Sequence, residues 1–139
     1  MSAEQNAATF RRVIEEGFNQ GNLAALDDCF APGYREHQFD LPPTLDGFKG
    51  SIRFLRHTFA QFSLTIEDLV ADGDKVWARM TGRGTHSQEF MGRDPTGNSF
   101  EITVVDICRF EQGRIVEHWG VPDRFHLIAQ LGLLPRPGE

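Results

Sequence analysis

A chain of 139 residues, 40% apolar and 24% charged, has the size and composition of one globular domain with a buried core and lies far from the composition of disordered chains. Its 14 Lys and Arg stand against 20 Asp and Glu, a net charge of −6 with the basic residues scattered, which argues against a nucleic-acid partner. No apolar run nears the ~20 residues that span a bilayer, and the opening MSAEQNAATF lacks the basic and apolar regions of a signal peptide, so one cytoplasmic domain over 1–139 with no membrane partner is expected.

Residues 4–20 place Ala7, Phe10, Val13, Ile14 and Phe18 at helical spacing, with Arg11, Arg12, Glu15 and Glu16 between them, which predicts an amphipathic helix. It stops at Asn19-Gln20-Gly21-Asn22, where Gly and Asn accept the left-handed conformation that ends helices. Leu23, Leu26 and Phe30 make a short second helix, broken by Ala31-Pro32-Gly33, and Tyr34 to Phe39 reads as a brief strand before Leu41-Pro42-Pro43. A third helix starts near Asp46-Gly47, with Phe48, Ile52, Leu55, Phe59 and Phe62 on one stripe.

From residue 63 the period changes to two. Leu64 to Val70 alternates, Ala71-Asp72-Gly73-Asp74 signals a hairpin, and a long strand runs from Val76 to about His86. A loop over Met91 to Asn98 leads to a third long strand, Phe100 to Phe110; Glu111-Gln112-Gly113-Arg114 turns into a fourth, Ile115 to Val121; and Asp123 to Leu131 closes the chain as a helix stopped by Gly132 and Pro135. Helices followed by an antiparallel meander predict an α+β fold, with N-terminal helices packed on a curved antiparallel sheet around a pocket.

The order of these elements and several local strings resemble the SnoaL-like polyketide cyclases, within the nuclear transport factor 2-like superfamily of cone-shaped α+β domains. The strings are Phe18-Asn19-Gln20-Gly21-Asn22-Leu23, Phe30-Ala31-Pro32, Tyr34 to His37, Gly84-Thr85-His86, Phe90-Met91-Gly92, Pro95-Thr96-Gly97, Asp106 to Phe110, Gly113 to Trp119, Asp123 and Gln130-Leu131-Gly132. The superfamily hosts cyclases, isomerases, dehydratases, epoxide hydrolases and non-catalytic binders on one fold, so function has to come from the site. In the cyclases an acid/base Asp follows the motif matching Glu117-His118-Trp119, and a His occupies the position of Asp106. Here the first position is Gly120, which cannot move a proton; the resemblance implies that Gly120→Asp, which restores the family's acid/base position, would create or raise cyclase-like activity on anthracycline-type esters.

Asp106 lies inside the apolar run Val104-Val105-Asp106-Ile107-Cys108, where a carboxylate is costly unless paired; it serves either as an acid/base group or as a structural anchor for Arg109, His118 or backbone. A two-residue hairpin loop at Gln112-Gly113 would set Asp106 opposite Trp119, and a three-residue loop with a bulge would set it opposite Gly120; the resemblance favours the second register, which puts His118 and Cys108 on the face of Asp106. Asp106 and His118 are then the expected catalytic pair. The resemblance points to Tyr34, His37, His86 and Trp119 as substrate-binding residues.

No short His/carboxylate ligand spacing, no G-x-S-x-G string and no phosphate loop occur, so neither metal nor cofactor is expected, and Cys29 and Cys108 read as buried thiols. Two functions follow: cofactor-independent cyclisation, isomerisation or hydration of a small apolar carbonyl compound, or a binding protein that kept the pocket and lost the acid/base Asp. Apolar side chains on both faces of the last two strands, with Trp119 and Val121 joining Val105 and Ile107 outside, predict a homodimer through the sheets.

Overall fold

The computed structural model describes residues 2–135. Met1 and residues 136–139, the ends of the expected 1–139 domain, lie outside the described residues. Ser2 opens helix α1 (Ala3–Arg12) with a capping box: its hydroxyl accepts the Gln5 N–H while the Gln5 side chain accepts the Ser2 N–H. The helix widens into a π-helical segment, Val13–Asn19, whose end is tied down twice. Arg56 Nη1 donates to the carbonyls of Phe18 and Asn19, at 2.9 and 2.7 Å, and the Asn19 amide exchanges two 2.8 Å hydrogen bonds with the Leu64 backbone.

Helix α2 (Leu26–Cys29) follows a single 3-10 turn, and the chain extends at Phe30 into β1 (Phe30–Glu36). Helix α3 (Leu45–Thr58) then feeds β2 (Phe59–Asp72), β3 (Lys75–His86), β4 (Ser99–Glu111), β5 (Arg114–Pro122) and helix α4 (Arg124–Gln130). The five strands form one open sheet in the order β1-β5-β4-β3-β2, antiparallel except where β1 runs parallel to β5. The α+β fold is thus as expected, with a mixed rather than wholly antiparallel sheet. Among the described residues no helix is long and apolar enough to cross a membrane.

Two boundaries differ from the sequence pattern. Strand β1 begins at Phe30 rather than Tyr34, because Phe30 leaves the second helix to pair with Ile115. Phe59 and Phe62 continue the apolar stripe of α3 at helical spacing, yet both lie in β2: Phe59 pairs with His86, and the ladder skips from Ala60 to Ser63 around Gln61, whose φ is +57°. A bulge breaks the alternation that would otherwise reveal a strand, so the spacing mimics a helix. A second bulge lies between Ile66 and Asp68.

Buried side chains form two clusters. One packs Phe10, Val13, Ile14 and Leu26 from the helices against Val76, Ala78, Met80, Cys108, Phe110 and Ile115 from the sheet. The other gathers Phe59, Phe100 and Ile102 with Leu127, Leu131 and Leu133 at the C-terminal end. A cavity draws its walls from both.

Candidate functional site

Alternate residues of β4, from Phe100 through Asp106 and Cys108 to Phe110, are buried, apart from the half-buried Val104, as a strand with one covered face requires. On β5 the buried residues are Ile115, His118 and Gly120. The turn between them has two residues, Gln112 and Gly113, both with positive φ (51° and 78°), as twisted hairpins require. By itself this turn would set Asp106 against Trp119. The extra residue Val116, between the pairs Phe110–Ile115 and Arg109–Glu117, moves the register by one, so Asp106 stands opposite Gly120 and Cys108 opposite His118.

Parallel pairing with β5 brings Glu36 to His118. Three ionisable side chains meet there, all nearly sealed from solvent: Glu36 is 1% exposed, His118 3% and Asp106 9%. His118 Nδ1 donates to Glu36 Oε2 at 2.6 Å and Nε2 donates to Asp106 Oδ2 at 3.1 Å. Glu36 is held further by the Tyr34 hydroxyl (3.1 Å) and the Gln38 N–H (3.0 Å), and Phe48 packs edge-on to the imidazole. Burial opposes the imidazolium, but the charge and hydrogen bond of Asp106, then those of Glu36, outweigh it and push His118 up to about 10. Burial, reinforced by the charges of Asp106 and Glu36, raises the Cys108 thiol well above its ordinary range, which makes it a poor nucleophile.

Asp106 and His118 both line the cavity, whose volume is about 420 Å³. Its walls are mainly apolar, with Phe18, Phe48, Phe59, Phe90 and Phe100 among them, and its polar members are Gln38, Asp40, Ser51, Asp106, His118 and Arg124. Arg124 Nη1 donates to Asp40 at 2.8 Å. An apolar cavity with a few convergent polar groups is the usual form of a small-molecule site. Among the described residues no group of three or more His, Cys, Asp or Glu side chains is arranged to hold a metal ion.

The other expected site residues lie outside this lining. His37 and Trp119 each follow an inward residue by one position, so strand alternation turns them to the opposite face; their rings stack at 4.6 Å and 8°, and His37 Nε2 donates to Glu117 at 2.7 Å. Tyr34 is buried and reaches the site only through Glu36. His86 is fully buried beside Phe59 and Phe90; its Nδ1 accepts the Thr96 N–H, and Nε2 has no hydrogen-bond partner among the described residues.

Glu36 and Gln38 are the site residues that sequence reasoning missed. The signal was available: they lie two and four positions beyond the apolar Tyr34, hence on its face if the strand holds its alternation. Gly120 explains the place of Gln38. A Cβ at position 120 would collide with the Gln38 carboxamide and lie 3.0 Å from Asp106 Oδ1.

Comparison with known proteins agrees with this architecture. The family model of the SnoaL-like polyketide cyclases matches residues 8–131. IdmH from Streptomyces antibioticus, a candidate polyketide cyclase, is 38% identical with a TM-score of 0.81, over 92% of this chain and 99% of that one. TsrD from Streptomyces laurentii is 30% identical with a TM-score of 0.87, over 96% of this chain and 99% of that one. AclR from Streptomyces galilaeus, a candidate hydroxylase, is 27% identical with a TM-score of 0.84, over 96% and 100%. No curated protein sequence matches the chain.

Proposed function

Because the chain belongs to the SnoaL-like polyketide cyclase family, we propose that it is a cofactor-independent acid/base catalyst that cyclises, isomerises or hydrates a small, mainly apolar carbonyl compound. The observation that carries this reading is the buried row Glu36–His118–Asp106 ending in an apolar cavity. Asp106 Oδ2 is occupied by His118, and Oδ1 lies on the side of Gly120. In the proposed step, Oδ1 takes a proton from the carbon next to the carbonyl; the C–H electron pair moves into the C–C bond and the carbonyl electrons onto oxygen, giving an enolate. His118 stays protonated and holds Asp106 in position, while Glu36 holds His118.

The relatives include a candidate cyclase and a candidate hydroxylase, so the fold alone does not select the fate of that enolate. Gly120 supports a second reading, a binding protein without turnover, because the family's acid/base position is empty of a side chain. Deuterium exchange at C1 of 2-tetralone, an apolar ketone small enough for the cavity, separates the two. Acceleration by the wild-type protein supports the catalyst, and no acceleration supports the binder. The proposed assembly is a homodimer through the outer sheet face, where Trp77 is 52% and Val121 67% exposed beside Val105, Ile107 and Trp119.

A further inference from the structure

The space left by Gly120 is filled by a residue from another strand end. An added Cβ would meet the carboxamide oxygen of Gln38, stand 2.9 Å from its Cδ, and lie 3.0 Å from Asp106 Oδ1. The Gln38 amide therefore sits where a side chain from β5 would begin, alongside the Asp106 oxygen that His118 leaves unbound. Its backbone is pinned, since its N–H donates to Glu36 Oε2 at 3.0 Å and its carbonyl accepts the Leu41 N–H at 3.3 Å. The side chain thus starts from a held point and reaches the cavity wall.

A ligand carbonyl needs a donor, and most of the polar lining is committed elsewhere. Both His118 N–H groups go to carboxylates, and the Ser51 hydroxyl donates to the Phe48 carbonyl at 2.7 Å. Arg124 is engaged with Asp40 and the Phe39 carbonyl, and Asp106 as a carboxylate only accepts. The Gln38 amide, whose oxygen is the end that faces Gly120, carries two N–H donors and is the neutral donor left in the polar lining. Two carboxylates against one imidazolium also leave this part of the wall negative, which disfavours an anionic ligand.

We infer that Gln38 is the carbonyl-binding residue of the cavity: its amide N–H donates to the oxygen of a neutral ketone or ester whose adjacent C–H faces Asp106, and Gly120 is the gap that admits it. The role of Asp106 in this statement rests on the acid/base reading; the recognition of the carbonyl by Gln38 does not. During enolate formation the same N–H would face the oxygen that gains charge.

The test compares binding of 2-tetralone with that of tetralin, its counterpart without the carbonyl, by calorimetric titration. Wild type is expected to prefer 2-tetralone roughly fivefold, the worth of one neutral hydrogen bond. Gln38→Leu should bring the ratio near one while tetralin affinity stays within about twofold. Gly120→Ala should do the same from the other side, because its Cβ displaces the flexible end of Gln38 and closes to 3.0 Å from Asp106 Oδ1. A preference retained in both variants, or none in wild type, overturns the inference. Preference without deuterium exchange would sink the acid/base reading and leave Gln38 standing; exchange with an unchanged preference in Gln38→Leu would do the reverse.

Discussion

The imidazole of His118 donates from Nδ1 to Glu36 and from Nε2 to Asp106, at 2.6 and 3.1 Å. Carboxylates only accept, so a ring bonded to two of them carries a proton on each nitrogen. Both ring nitrogens should therefore remain protonated well above neutrality, with titration near pH 10 by nitrogen-detected NMR. The folded value lies above the ordinary 6.5, so the stabilisation is fully present below about pH 6.5 and is lost as pH rises toward 10. Denaturant midpoints measured from pH 6 to pH 10 should fall, and the fall should be absent in His118→Phe.

Glu36→Ala leaves the Nδ1–H of His118 buried without its partner, which should cost about 3–5 kcal/mol by chemical denaturation. Glu36→Gln keeps a hydrogen-bond acceptor but removes a charge that raises His118, so its titration should move down toward neutrality while most of the stability survives. An unmoved His118 in Glu36→Gln would show that Asp106 alone sets its protonation.

Asp106→Asn preserves shape and can still accept from His118 Nε2, so circular dichroism should be unchanged. Exchange of the 2-tetralone C1 protons should fall by about 10²- to 10⁴-fold, the usual worth of a positioned general base. A variant that exchanges at the wild-type rate would remove Asp106 from the proposed step.

Gly120→Asp, which on family grounds should raise cyclase activity, meets an obstacle in this structure. Its Cβ displaces the Gln38 amide and brings a second carboxylate beside Asp106 Oδ1. No gain is expected from the single change on anthracycline-type esters. Gly120→Asp with Gln38→Gly, which clears the space, should recover whatever gain the family position offers; activity in the single variant alone would refute this account.

On the outer face, Trp119 and Val121 stand opposite Ile107 and Val105. Sedimentation at micromolar concentration should show a species near twice the 15.7 kDa chain mass. Ile107→Lys should dissociate it without unfolding the domain, whereas a wild-type species near 16 kDa would defeat the assembly proposed here.

Much of the site could be read before the fold was seen, because a carboxylate in an apolar strand has to be paired and the bulged register alone sets His118 on the face of Asp106. The outcome of the register turned on Val116, and nothing in the Val116 side chain distinguishes a bulged valine from a paired one. Glu36 escaped because β1 is joined to β5 in parallel across 77 residues of intervening chain (from Glu36 to Arg114), a pairing that no hairpin signal announces. His37 and Trp119 belong to strings shared with the family, but membership in a string says nothing about which face of a strand a residue takes. Sequence neighbours in a strand look opposite ways, so His118 and Trp119 part company.

Strand β2 is an edge of the sheet and is 14 residues long, with no strand on its outer side, where the Asn19 amide meets the backbone of Leu64. Such an edge is a template on which another chain can add a strand, and repeated addition builds fibres. The bulges at Ala60–Ser63 and Ile66–Asp68 interrupt the row of free backbone groups, and Glu67 and Asp68 put acidic side chains beside the second break, where they hold Thr81 and Arg79. The first of these kinks, which hid the start of the strand at Phe59 to Phe62 from sequence reading, thus joins the second as its guard against amyloid-like growth when the protein is crowded.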